Sequence, residues 1–306
     1  MKKFLLKTGI FLLLVFLLDR GLGNTLSYMS EHTSGGYLGH HNYIVHKSQD
    51  DIMVFGSSRA IHHYNAAMIR DSLGLSCYNC GQDGEGIILF YGWWQIIKQR
   101  HHPKIIIYEV TPGYDVSAND NTKHLGWLKG LYDYDVIKQE FDDVDTKERY
   151  KMQSLLYRYN SKFHQIMIDY MHPIHNITLG YLPVNRELDP LRVRTTEAVK
   201  KDNGTKDEIK LDSLRLYYFN DMIQNAGNTK FVFVNSPTWY GNYDHSLDTI
   251  KNLAKRYHFE FLDFSHDDKY VHHNEFFYDG SHMNSRGADE FTKDLIIELR
   301  KRKVIE

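Results

Sequence analysis

The chain reads as an α/β protein on a parallel sheet of five strands, and three observations predict this. Ile52, Met53, Val54 and Phe55 form a short apolar run of buried-strand length, and Gly56-Ser57-Ser58-Arg59 breaks it sharply before a helix. Two more strands, Ser76–Asn79 and Lys104–Val110, follow with a helix between them. Past residue 204 the same alternation returns with strands at Lys230–Asn235 and Glu260–Phe264. Strands that alternate with helices pair in parallel through helical crossovers.

The elements follow in order. Lys2, Lys3 and Lys7 precede an apolar run from Thr8 to Leu18, and no small-residue cleavage site comes after it. Residues 1–23 are therefore expected to form an uncleaved signal-anchor helix, leaving a single-pass protein with its main domain outside the cytoplasm. Residues 24–50 are polar and poorly periodic and read as a connector. The α/β domain is expected over 51–306, with a helix from Ser58 to about Leu73 and another over Gly86–Arg100. From about 114 to 207 no strand alternation is visible. Thr146–Met171 reads there as one or two helices, and the whole stretch as an insertion over the carboxyl edge of the sheet, where substrate-selecting elements sit. Helices at Glu208–Ala226, Ser246–His258 and Ser285–Arg302 complete the pattern, the last with Asn284 as its N-cap.

Composition narrows the function. With 42% hydrophobic and 25% charged residues the chain has ample core for one large domain, and a formal charge of −2 without a basic patch argues against nucleic acid. Cys77 and Cys80, the two cysteines, read as packing residues, because positions three apart in a strand point to opposite faces. His172 and His175 flank Pro173 and read as a polar turn. The 18 histidines show no metal-ligand spacing, so neither a metal nor a cofactor is expected. Gly56-Ser57-Ser58-Arg59 also lacks the glycines and lysine of a phosphate loop, which weakens a flavin or nucleotide binder.

Chemistry is concentrated at the two ends of the domain. A serine in the turn after the first strand sits at the carboxyl edge of the sheet beside unpaired helix amides, so Ser58 is a candidate nucleophile, although Ser57 and Ser58 would also serve as helix caps. A serine hydroxyl needs a base, and the base needs a group to orient it. Asp279 and His282 in FYDGSHMNSRGA supply both from one turn.

Together the two ends resemble the SGNH/GDSL hydrolase family. Its first block matches Gly56-Ser57-Ser58 and its Asp-x-x-His block matches Asp279-Gly280-Ser281-His282. The resemblance implies a three-layer flavodoxin-like fold with Ser58 as nucleophile, His282 as base and Asp279 as its partner. It also implies an oxyanion amide from a glycine after the second strand, for which Gly84 is the better match and Gly81 the second. The family's third block carries an asparagine, and Tyr108-Glu109-Val110-Thr111-Pro112-Gly113 does not. Thr111 and Asn235, which end neighbouring strands, are the candidate substitutes.

The expected function is that of an anchored serine esterase or O-acyltransferase working on a cell-envelope polysaccharide or other acylated glycan. By likeness to accessory proteins of D-alanyl transfer and alginate acetylation, it would work beside a membrane-bound acyltransferase. The alternative is a catalytically inactive module of the same fold that binds carbohydrate or such a partner.

Overall fold

The computed structural model describes residues 1–173, 177–189, 210–241 and 247–305. In chain order its regular elements are α1 (Lys2–Glu31), α2 (Gly36–Asn42), β1 (Ile52–Gly56), α3 (Ser58–His63), α4 (Ala66–Leu73), β2 (Cys77–Asn79), α5 (Ile87–Ile97), β3 (Ile105–Glu109) and α6 (Pro112–Asp115). They continue with α7 (Asp135–Val144), α8 (Glu148–Lys151), α9 (Leu155–Asn160), α10 (Phe163–Met171), α11 (Ser213–Gln224), β4 (Lys230–Asn235), α12 (Asp248–Tyr257), β5 (Glu260–Asp263) and α13 (Ser285–Lys301). These divide into two compact units, one of Met1–Lys47 with Asp120–His175, the other of Ser48–Asn119 with Asn176–Glu306. His175, Glu208 and Ser246, each part of a sequence expectation, lie outside the described residues, as does 190–207 of the expected insertion.

The second unit carries the sheet. All five strands are parallel in the order β2-β1-β3-β4-β5, the flavodoxin-like arrangement. Alternate residues face opposite layers. Ile52, Val54, Ile105, Ile107, Val232 and Val234 join one core with Ala60, Ile69, Phe291 and Leu295, which come from α3, α4 and α13. Phe55, Tyr108 and Phe233, one register away, meet Phe90 of α5 and Phe219 of α11. Helices therefore cover both faces, giving three layers. The chain leaves β1 toward β2 on one side and toward β3 on the other, and ligands of such sheets bind at the carboxyl edge of that divergence.

Two helical expectations change. The helix foreseen from Ser58 to Leu73 is two helices, broken at Tyr64-Asn65, where Asn65 Oδ1 accepts the Met68 amide and caps α4. Thr146–Met171 holds three short helices, with Ser154 capping α9 through the Tyr157 amide.

The first unit corrects the expected membrane anchor and localisation. No helix among the described residues is long and apolar enough to cross a membrane. The uncharged run Thr8–Leu18 rises about 17 Å at about 1.5 Å per residue, against a hydrocarbon core of about 30 Å. It ends at Asp19 and Arg20, and these belong to a folded contact. Asp19 accepts from Ser154 and from the amides of Leu155 and Leu156, while Arg20 donates to Gln153 O. α1 continues to Glu31 and α2 spans Gly36–Asn42, so more than half of the expected connector is helical. At Gly23 an added Cβ would stand 2.3 Å from Leu155 Cβ, which shows how closely α1 and α9 pack.

Candidate active site

The site grows from the turn between β1 and α3. Gly56 ends β1 at φ +136°, and a side chain there would stand 2.7 Å from the Glu109 Cβ and carbonyl oxygen, so only glycine fits. The sharp turn places Ser57 at the N-cap, yet its hydroxyl makes no capping bond. Ser58 opens α3, so its amide is one of that helix's unpaired donors. Its hydroxyl, rather than capping, lies 2.6 Å from His282 Nε2.

His282 is oriented from behind. Both oxygens of Asp279 lie 3.0 Å from its Nδ1. A carboxylate only accepts, so Nδ1 carries the proton and Nε2 faces Ser58 with its lone pair. Asp279 Oδ1 also takes the amides of Ser281 and His282, at 2.8 and 2.9 Å, which curls the turn around it. Burial acts to raise the Asp279 pKa, but the bond and charge of His282 and these two amides outweigh it and hold the carboxyl below its usual value. The structure thus brings together Ser58, His282 and Asp279 from the two ends of the domain.

No hydrogen bond or ion pair joins the other sequence candidates, Gly81, Gly84, Thr111 and Asn235, to these three side chains among the described residues. Gly81 donates its amide to Asn79 Oδ1, and its α-carbon touches α3 so closely that a Cβ would meet the Ile61 nitrogen at 2.3 Å. Gly84 has φ +72° with open space around it. Thr111 donates its amide to Asp115 Oδ2 at 2.6 Å, and its hydroxyl stands 3.3 Å from Arg59 Nη2. Asn235 is buried, with its side-chain amide donated to Val110 O at 3.0 Å.

Among the neighbours of these three, Arg59 and Glu109 escaped the sequence reading. Arg59, the residue after Ser58, pairs with buried Glu109 at 2.9 Å and also donates to the carbonyls of Val110 and Ser236. Glu109 accepts as well from Tyr64 OH and the Ser236 amide. A charged residue ending the apolar run Ile105–Tyr108 was the available signal. His62 donates through Nδ1 to Leu182 O at 2.8 Å, and its Nε2 lies 3.2 Å from Asp83 Oδ1, which favours the charged form of the ring. Burial works against that charge, yet Asp83 and the Leu182 carbonyl raise the pKa above its usual value. His63, fully buried, bonds Ser236 Oγ and the Met283 amide. Of the remaining histidines near this turn, His272 packs edge-on against Trp239, and His273 is exposed beside Glu275.

The segment before residue 190 is tied along the site by Asn79 N to Leu179 O, Leu182 N to Ile61 O, and Ser285 N to Val184 O. Nothing in its composition announced this.

Among the described residues no group of three or more His, Cys, Asp or Glu side chains could hold a metal ion. Cys77 and Cys80 are free and buried, and burial pushes both thiols above their usual pKa.

No family model and no curated protein matches the chain. Among the solved structures that match the chain are two of low similarity. One is described as a provisionally assigned platelet activating factor from Streptococcus pneumoniae, 12% identical, covering 96% of this chain and 99% of that one at a TM-score of 0.36. The other is an acetyl xylan esterase from the rumen bacterium Butyrivibrio proteoclasticus, 10% identical, covering 82% of this chain and 63% of that one at 0.34. Likeness at this level does not bear on what the site does.

Proposed function

We propose that the chain is a serine esterase or O-acyltransferase that acts on an acylated glycan. One observation carries the reading: the Ser58 hydroxyl lies 2.6 Å from Nε2 of His282, whose Nδ1 is held by Asp279. In this arrangement Ser58 Oγ attacks the ester carbonyl while its proton passes to His282 Nε2. The imidazolium, paired with Asp279, returns that proton to the leaving alcohol. Water then cleaves the acyl-serine in an esterase, and a glycan hydroxyl takes the acyl group in a transferase. The amides of Ser58 and Gly84 are the proposed oxyanion donors. An acylated sugar as substrate rests on the family resemblance of the Ser58 and His282 blocks.

The full-length protein, incubated with a chromogenic acetyl ester and with a serine-directed fluorophosphonate, tests this. Turnover and labelling are expected in the wild type and lost in both Ser58→Ala and His282→Ala. A folded wild type that neither turns over nor labels would sink the enzyme reading.

A second reading, a binding module without turnover, is favoured by the region after β3. The stretch Tyr108–Gly113 holds no asparagine, the Thr111 amide is taken by Asp115, and the side-chain amide of Asn235 is given to Val110 O. One missing oxyanion donor lowers turnover by roughly 10²- to 10³-fold. The same assay separates the two readings.

A further inference from the structure

We propose that His63 is a positioning residue for His282, a neutral imidazole clamp that fixes the base turn to the helix bearing the nucleophile. This rests on the reading of His282 as the base.

The bonding pattern defines the clamp. The Met283 amide donates to His63 Nε2 at 2.9 Å, so that nitrogen carries no proton. Nδ1 therefore carries it and donates to Ser236 Oγ at 2.8 Å. A protonated ring would lose its acceptor for Met283. Burial first, then the charges of His282, Arg59 and His62, hold this imidazole well below its usual pKa, so the accepting form persists.

Position gives the clamp its purpose. His63 is the last residue of α3 and Ser58 the first, and Met283 directly follows His282. One six-residue helix therefore holds the nucleophile at one end and the backbone of the base turn at the other. The clamp is braced on two further sides. Ser236, at the end of β4, gives its amide to Glu109 at the end of β3. Thr292 of α13 donates its hydroxyl to His63 O at 3.3 Å and accepts the Asn65 amide at 3.1 Å. Asp279 fixes which way the His282 ring turns, whereas His63 fixes where the backbone beneath that ring stands. An error of about 1 Å in such a placement can cost about 100-fold in rate without touching substrate binding.

Two substitutions divide the two bonds. A glutamine oxygen reaches the position of Nε2 and can accept from Met283, while an asparagine amide reaches only the position of Nδ1 and can serve only Ser236. With the chromogenic ester and full-length protein, His63→Asn is expected to lower kcat by roughly 10- to 100-fold with KM within about twofold, and His63→Gln to recover most of the loss. The Met283 amide should exchange with solvent faster in His63→Asn than in wild type and stay protected in His63→Gln. If His63→Asn does not fold, Ser236→Ala, which removes only the brace on Nδ1, should lower kcat at unchanged KM.

Equal kcat in wild type and His63→Asn, or equal losses in the Asn and Gln variants, would overturn the clamp. The exchange measurement needs no turnover, so it separates failure of the clamp from failure of the enzyme reading. An inactive wild type whose Met283 amide is still released only by the Asn variant keeps the clamp. Unchanged protection in that variant removes it.

Discussion

Tyr278 lies face to face on His282, ring centroids 5.5 Å apart and planes 10° from parallel. The guanidinium of Arg186 sits over Tyr278, 4.7 Å from its centroid. The imidazole is thus held in plane by Asp279 and against its face by an aromatic ring. Aromatic pairs of this kind contribute about 0.5–1.5 kcal/mol beyond buried area. Tyr278→Ala is expected to lower kcat roughly two- to tenfold, and Tyr278→Phe to keep it. Steady-state kinetics on the chromogenic ester check both.

Asp115 gives a pH dependence with a definite sign. Burial raises its carboxyl from 3.8 to about 6, against the lowering bonds from Tyr108 OH and the Thr111 amide. Because the folded value lies above the unfolded one, the folded state binds more protons between them. The contribution of Asp115 to stability is then fully present below about pH 3.8 and is lost as pH rises through about 6. Urea unfolding of wild type and Asp115→Asn across pH 3.5–8 should show the wild type losing ground to the variant over that window, with a constant gap above it.

The Arg59–Glu109 pair lies under the nucleophile turn and is almost wholly shielded from water. Burial raises the Glu109 pKa, and Arg59, Tyr64 and Ser236 counter it. Removing one partner leaves the other charge buried alone, at a cost of about 3–5 kcal/mol. Arg59→Met and Glu109→Leu are each expected to destabilise the protein by that much in denaturant titrations. The double variant should lose less than the sum of the two.

Gly81 and Gly84 separate packing from backbone strain. A methyl at position 81 meets the backbone of Ala60 and Ile61 below 3 Å, so the loop must leave α3, with an overpacking cost of about 1–3 kcal/mol. A methyl at position 84 meets nothing within 4 Å and only strains a left-handed backbone, by about 1–2 kcal/mol. Both variants are expected to lower stability, and Gly84→Ala to lower turnover as well, because the strain falls on the backbone whose amide is a proposed oxyanion donor. Thermal melts and kinetics on the two variants decide it.

Strands and site residues were legible in the sequence to different depths. β4 has the expected bounds, and β1, β3 and β5 lie within a residue or so, because a buried parallel strand is an apolar run that turn residues cut off on both sides. Ser58, Asp279 and His282 could be found because short local patterns surround them. The break at Tyr64-Asn65 was hidden: Asn65 caps α4 with a side chain that composition alone reads as mid-helix polarity. The roles of Arg59, Glu109 and His63 were invisible for a different reason. Each depends on a partner brought close by the sheet register, such as Gly56 beside Glu109. The N-terminal run misled because its hydropathy shows the apolar residues and not the contacts of Asp19 and Arg20 with the segment beginning at Gln153.

Gly56 leaves no room for a side chain beneath the nucleophile turn, and Ser58 and the base turn are both referenced to α3. Breathing of the sheet therefore carries nucleophile and base together, as two marks on one ruler. Changes in the residues that line the approach to the site therefore admit or refuse substrate without detuning the proton transfer.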